Sequence, residues 1–96
     1  MSGGRGFPLR LSANVVWTKT GDVVYVANAA GAHPFVLRAL EGTAATIWEM
    51  LQDGPTEQAL FSRIAKAYGV DPEAVIPEVR QFLADLRVGN LLAHDG

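Results

Sequence analysis

The hydrophobic period of this chain changes at Gly42, and that change limits the possible folds more than any other feature. Before it, Pro34-Phe35-Val36-Leu37-Arg38-Ala39-Leu40 reads as a short strand, and after it Ala44, Ile47, Trp48 and Leu51 recur at helical spacing. A strand therefore feeds directly into a helix. Upstream, Leu9-Arg10-Leu11 and Val15-Val16-Trp17-Thr18 have extended patterns. Thr20-Gly21-Asp22 supplies a turn into Val23-Val24-Tyr25-Val26-Ala27, which predicts a β-hairpin. The linker Asn28-Ala29-Ala30-Gly31-Ala32-His33 then leads to the third strand, which Pro34 opens where a missing N–H does least damage.

Two more helices follow. Asp53-Gly54-Pro55 stops the first, and Thr56 with Glu57 begins a second whose residues Leu60, Phe61, Ile64, Ala65 and Tyr68 share one face, closed by Gly69. Asp71-Pro72-Glu73 restarts the chain as a third helix, with Asp as N-cap and Pro at the first helical position. Val75, Val79, Phe82, Leu83 and Leu86 form its buried stripe, and Gly89-Asn90 ends it. Pro77 removes one intrahelical bond and is expected to kink this helix or delay its regular start. The expected fold is α+β, a winged helix-turn-helix in which a three-stranded antiparallel sheet is followed by three helices. Residues 1–8 are expected to form a flexible tail, 9–92 the domain, and 93–96 a second tail.

At 96 residues the chain has length for one core, burying about 60–65% of its unfolded surface. Hydrophobic residues make up 49% and charged residues 19%, which excludes a disordered chain. Cysteine is absent, so there is no disulfide framework, thiolate metal site or cysteine nucleophile, and a reducing cytoplasm is the expected location. No apolar run reaches membrane-span length and no signal-peptide pattern opens the chain. The formal charge of −2 argues against a general binder of phosphate backbones. His33 and His94 lack ligand-spaced partners, and Gly3-Gly4-Arg5-Gly6 lacks the strand and helix of a phosphate loop, so no metal, cofactor or catalytic group is expected.

Leu40-Glu41-Gly42-Thr43-Ala44-Ala45-Thr46-Ile47-Trp48-Glu49-Met50-Leu51, with Asp53-Gly54, Tyr68-Gly69-Val70-Asp71 and the stretch from Val79 to Leu92, resembles the pyrroloquinoline-quinone biosynthesis protein D family. The resemblance runs from about Val15 to Leu92. Glu41 stands where Asn is common in that family, Asn90 is inserted before Leu91-Leu92, and Pro77 is unusual. At this length the chain resembles a stand-alone recognition element for ribosomally made precursor peptides, most like the leader-binding proteins of lasso-peptide pathways. The resemblance implies peptide binding between the third strand and the third helix, with no chemistry performed by the domain. It also implies two kinds of partner, a precursor leader peptide and a separate leader peptidase or cyclase.

The residues agree with a peptide site in outline. Phe35, Val36, Leu37, Arg38 and Ala39 can present an unpaired sheet edge, which is a template for an added strand or for a second copy of the chain in a weak homodimer. On the third helix, Ile76, Arg80, Leu83 and Arg87 lie along one border of the buried stripe and Glu78 and Asp85 along the other, and the basic border is the expected groove wall. Alternation and helical stripes alone place Phe35, Leu37, Val79, Phe82, Leu83 and Leu86 in the core, with Trp17 and Trp48 as large fillers, one keeping its indole N–H near the surface. The alternative reading is a winged-helix DNA-binding regulator. Its third helix, however, carries Glu73, Glu78 and Asp85 against Arg80 and Arg87, too little positive charge for many phosphate contacts. An enzyme ranks last, because no nucleophile and base pair is visible.

Overall fold

The computed structural model describes residues 8–30 and 37–93. Strands β1 (Val15–Thr20), β2 (Val23–Asn28) and β3 (Arg38–Leu40) precede helices α1 (Thr43–Leu51), α2 (Glu57–Tyr68) and α3 (Pro72–Val88). The sheet is antiparallel in the order β1-β2-β3, with Trp17 opposite Val26, Val24 opposite Leu40, and Tyr25 between Thr18 and Ala39. This is the α+β order expected from the sequence. The expected third strand began at Pro34, but residues 34–36 lie outside the described residues, and Leu37 is described without pairing.

Alternation along β2 sorts the sheet into two faces. Val24 and Val26 are fully buried against the helices, and their partners Leu40, Arg38 and Trp17 share that inner face. Tyr25, Thr18 and Ala39 lie on the outer face. Trp48 from α1, Leu60, Phe61 and Ile64 from α2, and Val79, Leu83 and Leu86 from α3 complete the core with Leu91 and Leu92.

Each helix begins and ends where its residues allow. Gly42 precedes α1 at φ 60° and ψ −130°, a conformation open to glycine and strained for other residues, so the strand can turn sharply into the helix. Thr56 caps α2, its hydroxyl accepting the Ala59 N–H at 3.1 Å. Asp71 occupies the N-cap of α3 in extended conformation but its side chain makes no capping bond. Of the kink or delay expected from Pro77, the delay does not occur, since α3 begins at Pro72 and includes Pro77. Pro77 sits on the exposed side, and the Glu73 carbonyl that loses its intrahelical donor is on an exposed residue that water can reach.

The segment before β1 joins the ends of the helices. The Leu9 N–H donates to the Pro55 carbonyl at 2.7 Å, the Ser12 N–H to Leu91 at 3.0 Å, and the Ala93 N–H to Arg10 at 2.8 Å. Pro8 forms a bridge with Thr56, so the packed body takes in Pro8 and Ala93, which the sequence assigns to tails. The remaining tail residues, 1–7 and 94–96, lie outside the described residues.

Candidate functional site

β3 is an edge strand. Only β2 pairs with it, and among the described residues no other backbone group bonds its outer margin. Two contacts fix how α3 lies beside it. At one end, Arg38 Nη1 stands 3.4 Å from the position a Cβ would take on Gly89, the residue closing α3. At the other, Thr43, just beyond β3, shares a cleft of about 290 Å³ with Val75, Glu78 and Val79 from the first turns of α3. The start of β3 is therefore near the end of α3, and the residue that opens α1 is near the first turns of α3.

These contacts identify the flank of α3 that faces the strand. Residues 75, 78, 82, 85 and 89 follow one another at spacings of three and four, which places them on one stripe of a helix. Val75, Glu78, Phe82, Asp85 and Gly89 form this stripe. Val75 and Phe82 are half-buried against the core, Glu78 is exposed, and the Asp85 carboxylate accepts the Gln81 side-chain amide at 3.1 Å on the outward side.

The expected groove wall was the opposite border, whose residues the structure places as follows. Arg80 is turned toward α2, where Nε and Nη2 donate to Glu57 Oε1 at 3.4 and 3.3 Å and the guanidinium lies 5.6 Å from the centre of the Phe61 ring. The stacking and the ion pair draw this side chain to α2, which is closer than the strand. Ile76 is half-buried on the same flank, as is Arg87, seven residues beyond Arg80. Leu83 is a core residue with none of its surface exposed, so no groove occupant can touch it. Of the strand residues, Leu37 is 61% exposed, Arg38 half-buried and Ala39 exposed. Phe35 and Val36 lie outside the described residues, as do His33 and His94.

The sequence reading missed the Val75 to Gly89 stripe because both borders of α3 carry apolar and charged residues at the same spacing. Arg80 sits four residues from Ile76 in an apparently free basic row, and nothing local reveals that Glu57 and Phe61 claim it. The sheet adds an apolar cleft of about 450 Å³ lined by Val16, Trp17, Thr18, Tyr25 and Leu37, and Leu37 joins it to the β3 edge.

A polar cleft lies beyond the strand's end. There the Tyr68 hydroxyl donates to Thr46 Oγ1 at 3.4 Å, and the Thr46 and Thr43 hydroxyls hold the phenol below its ordinary 10.0, outweighing the opposite effect of burial. The described residues contain no group of three metal-ligating side chains, and none of their helices is long and apolar enough to cross a membrane.

Residues 36–92, more than half of the chain, match the family model described as Coenzyme PQQ synthesis protein D (PqqD). No match was found among the curated proteins or the solved structures compared with it.

Proposed function

The chain belongs to the PqqD family, and from that membership we propose that it binds the leader of a ribosomally made precursor peptide as an added strand on β3. The bound leader packs against the Val75 to Gly89 stripe of α3. The domain performs no chemistry itself. It delivers the precursor, a lasso-peptide precursor on the sequence likeness, to a separate leader peptidase and cyclase, raising the local concentration of their substrate.

The observation that carries this reading is the vacant margin of β3 lying alongside α3. Each margin-facing residue of the three-residue β3 offers one N–H and one C=O, so an added strand gains about two to four backbone bonds at a net of about 0.5–1.5 kcal/mol each, which does not exceed the cost of association. Apolar anchors must supply the surplus, at about 1.5–3 kcal/mol for each leader side chain buried. Val75 and Phe82 on one side and Leu37 on the other are placed to receive them. The expected contacts through Arg80 and Arg87 are not part of this proposal, because both stand on the far flank of α3.

Two measurements test it. Arg38→Pro and Ala39→Pro each remove one N–H from β3, and because neighbouring N–H groups in a strand point to opposite sides, one of the pair removes a donor from the open margin. Fluorescence polarisation with labelled leader should show that variant folded and weakened in binding, whereas unchanged affinity in both would remove the strand-addition mechanism. In a pull-down, the protein should retain the full precursor and release a leaderless one. Retention of leaderless precursor would contradict the reading.

A further inference from the structure

The groove carries opposite charges at its two ends. Glu78 stands at the end shared with Thr43, exposed and with no cation bonded to it among the described residues, and Glu41 follows β3 at the same end. At the other end the Arg38 guanidinium lies against Gly89, beside the last carbonyls of α3, where the helix dipole favours a cation. A guanidinium has five N–H donors, and no carboxylate of the described residues is within salt-bridge distance of Arg38, so it has donors left for an incoming acid. The one carboxylate between the ends, Asp85, is bonded outward by Gln81. The two basic residues of α3, Arg80 and Arg87, are on the far flank.

We propose that this charge order selects the ligand and fixes its direction: the groove takes an extended peptide with a Lys or Arg toward Glu78 and an Asp or Glu toward Arg38. The proposal rests on the strand-addition reading above and adds to it the side-chain chemistry of the leader. The spacing follows from the geometry of the two elements. Glu78 and Gly89 are about 16 Å apart along the helix axis at ~1.5 Å per residue, and an extended chain covers that distance in about five residues at ~3.3 Å each. Side chains on one face of a strand are an even number of positions apart, so the basic and acidic residues should be about four or six positions apart, with an apolar residue between them facing Phe82.

Backbone bonds to β3 could form with an added strand in either direction, since both ladder types satisfy the donors and acceptors. Side-chain charge breaks that tie. Exposed pairs of this kind change affinity by about two- to fivefold each, enough to set register and orientation while the apolar contacts supply the affinity.

The test is a displayed library of random ten-residue peptides selected on the whole protein at low salt, in parallel with Arg38→Pro, Ala39→Pro and the double reversal Arg38→Glu with Glu78→Lys. The expected result is a pool lost on one of the proline variants, enriched in one order of basic and acidic residues at the stated spacing, and enriched in the reverse order on the double reversal. A pool that is lost on a proline variant but shows no charge order, or keeps its order on the double reversal, overturns this inference and leaves strand addition standing. A pool indifferent to both proline variants overturns strand addition and this inference together. Should the double reversal fail to fold by circular dichroism, Glu78→Gln and Arg38→Gln replace it. Each should remove one charge preference from the pool, and an unchanged pool on both would overturn the proposal.

Discussion

Arg38 and Gly89 meet where β3 begins and α3 ends, with Arg38 Nη1 3.4 Å from where a Cβ on Gly89 would stand. Gly89 has φ −85°, a conformation any residue adopts, while the backbone atoms nearest that point are at ordinary contact distance. Gly89→Ala should therefore raise fold stability by about 0.4–1 kcal/mol through the unfolded chain. The added methyl would meet the guanidinium at ordinary contact distance and leave it in place, so leader affinity should stay within error. Thermal denaturation and a leader titration on the same sample check both parts, and a large loss of affinity would contradict that contact distance.

Arg80 should matter to stability and not to the peptide. Its ion pair with Glu57 is partly exposed and contributes about 0.2–1 kcal/mol, with a further ~0.5–1 kcal/mol from the Phe61 ring. Arg80→Ala should lower the urea midpoint modestly and leave leader affinity within error. A double-mutant cycle with Glu57→Gln should give a coupling below about 1 kcal/mol. A large affinity loss would return Arg80 to the groove.

Trp48 has none of its surface exposed, and its indole N–H has no partner among the described residues, whereas Trp17, expected as a core filler, is 39% exposed. Trp17 meets it edge-on, with ring centroids 6.2 Å apart. Trp48→Ala should cost about 3–5 kcal/mol. Trp48→Phe also removes a buried donor whose desolvation costs about 1–3 kcal/mol, so its loss should be much smaller. Equal losses in chemical denaturation would show that the N–H is bonded in solution.

Tyr68 should titrate below its ordinary value until Thr46 loses its hydroxyl. In a Tyr25→Phe background, ultraviolet absorbance should follow the Tyr68 phenol alone, and Thr46→Val should move its titration upward. A folded value below the unfolded 10.0 contributes stability that is fully present above 10.0 and is lost as the pH falls through the folded value. Neutral-pH stability should therefore show no contribution from this ionisation. A Thr46→Val titration superimposable on the parent would remove the hydroxyl as the cause.

The element order was legible because its signals are local. The change of period at Gly42, the Thr56 cap and the Gly69 stop are each written within a few residues, and each stands where the sequence reading put it. Pro77 does not delay the start of the helix, and the Glu73 carbonyl that it deprives of a donor is on an exposed residue that water can reach. The flank of α3 that faces β3 was not legible, since it depends on Arg38 reaching Gly89 and Glu57 reaching Arg80, pairs separated by many residues. The pairing of Pro8 with Thr56 and of the Leu9 N–H with Pro55 was hidden for the same reason: a short stretch shows its pattern but not its destination.

Asn28 donates its side-chain amide to the carbonyl of Asn90, a residue held at φ 60° just past the end of α3. That bond ties the sheet to the helix at the Arg38 corner, and no comparable tie is described at the Thr43 corner. The end of β2 and the residue just past α3 are thus held to one another by a side chain as well as by the shared core.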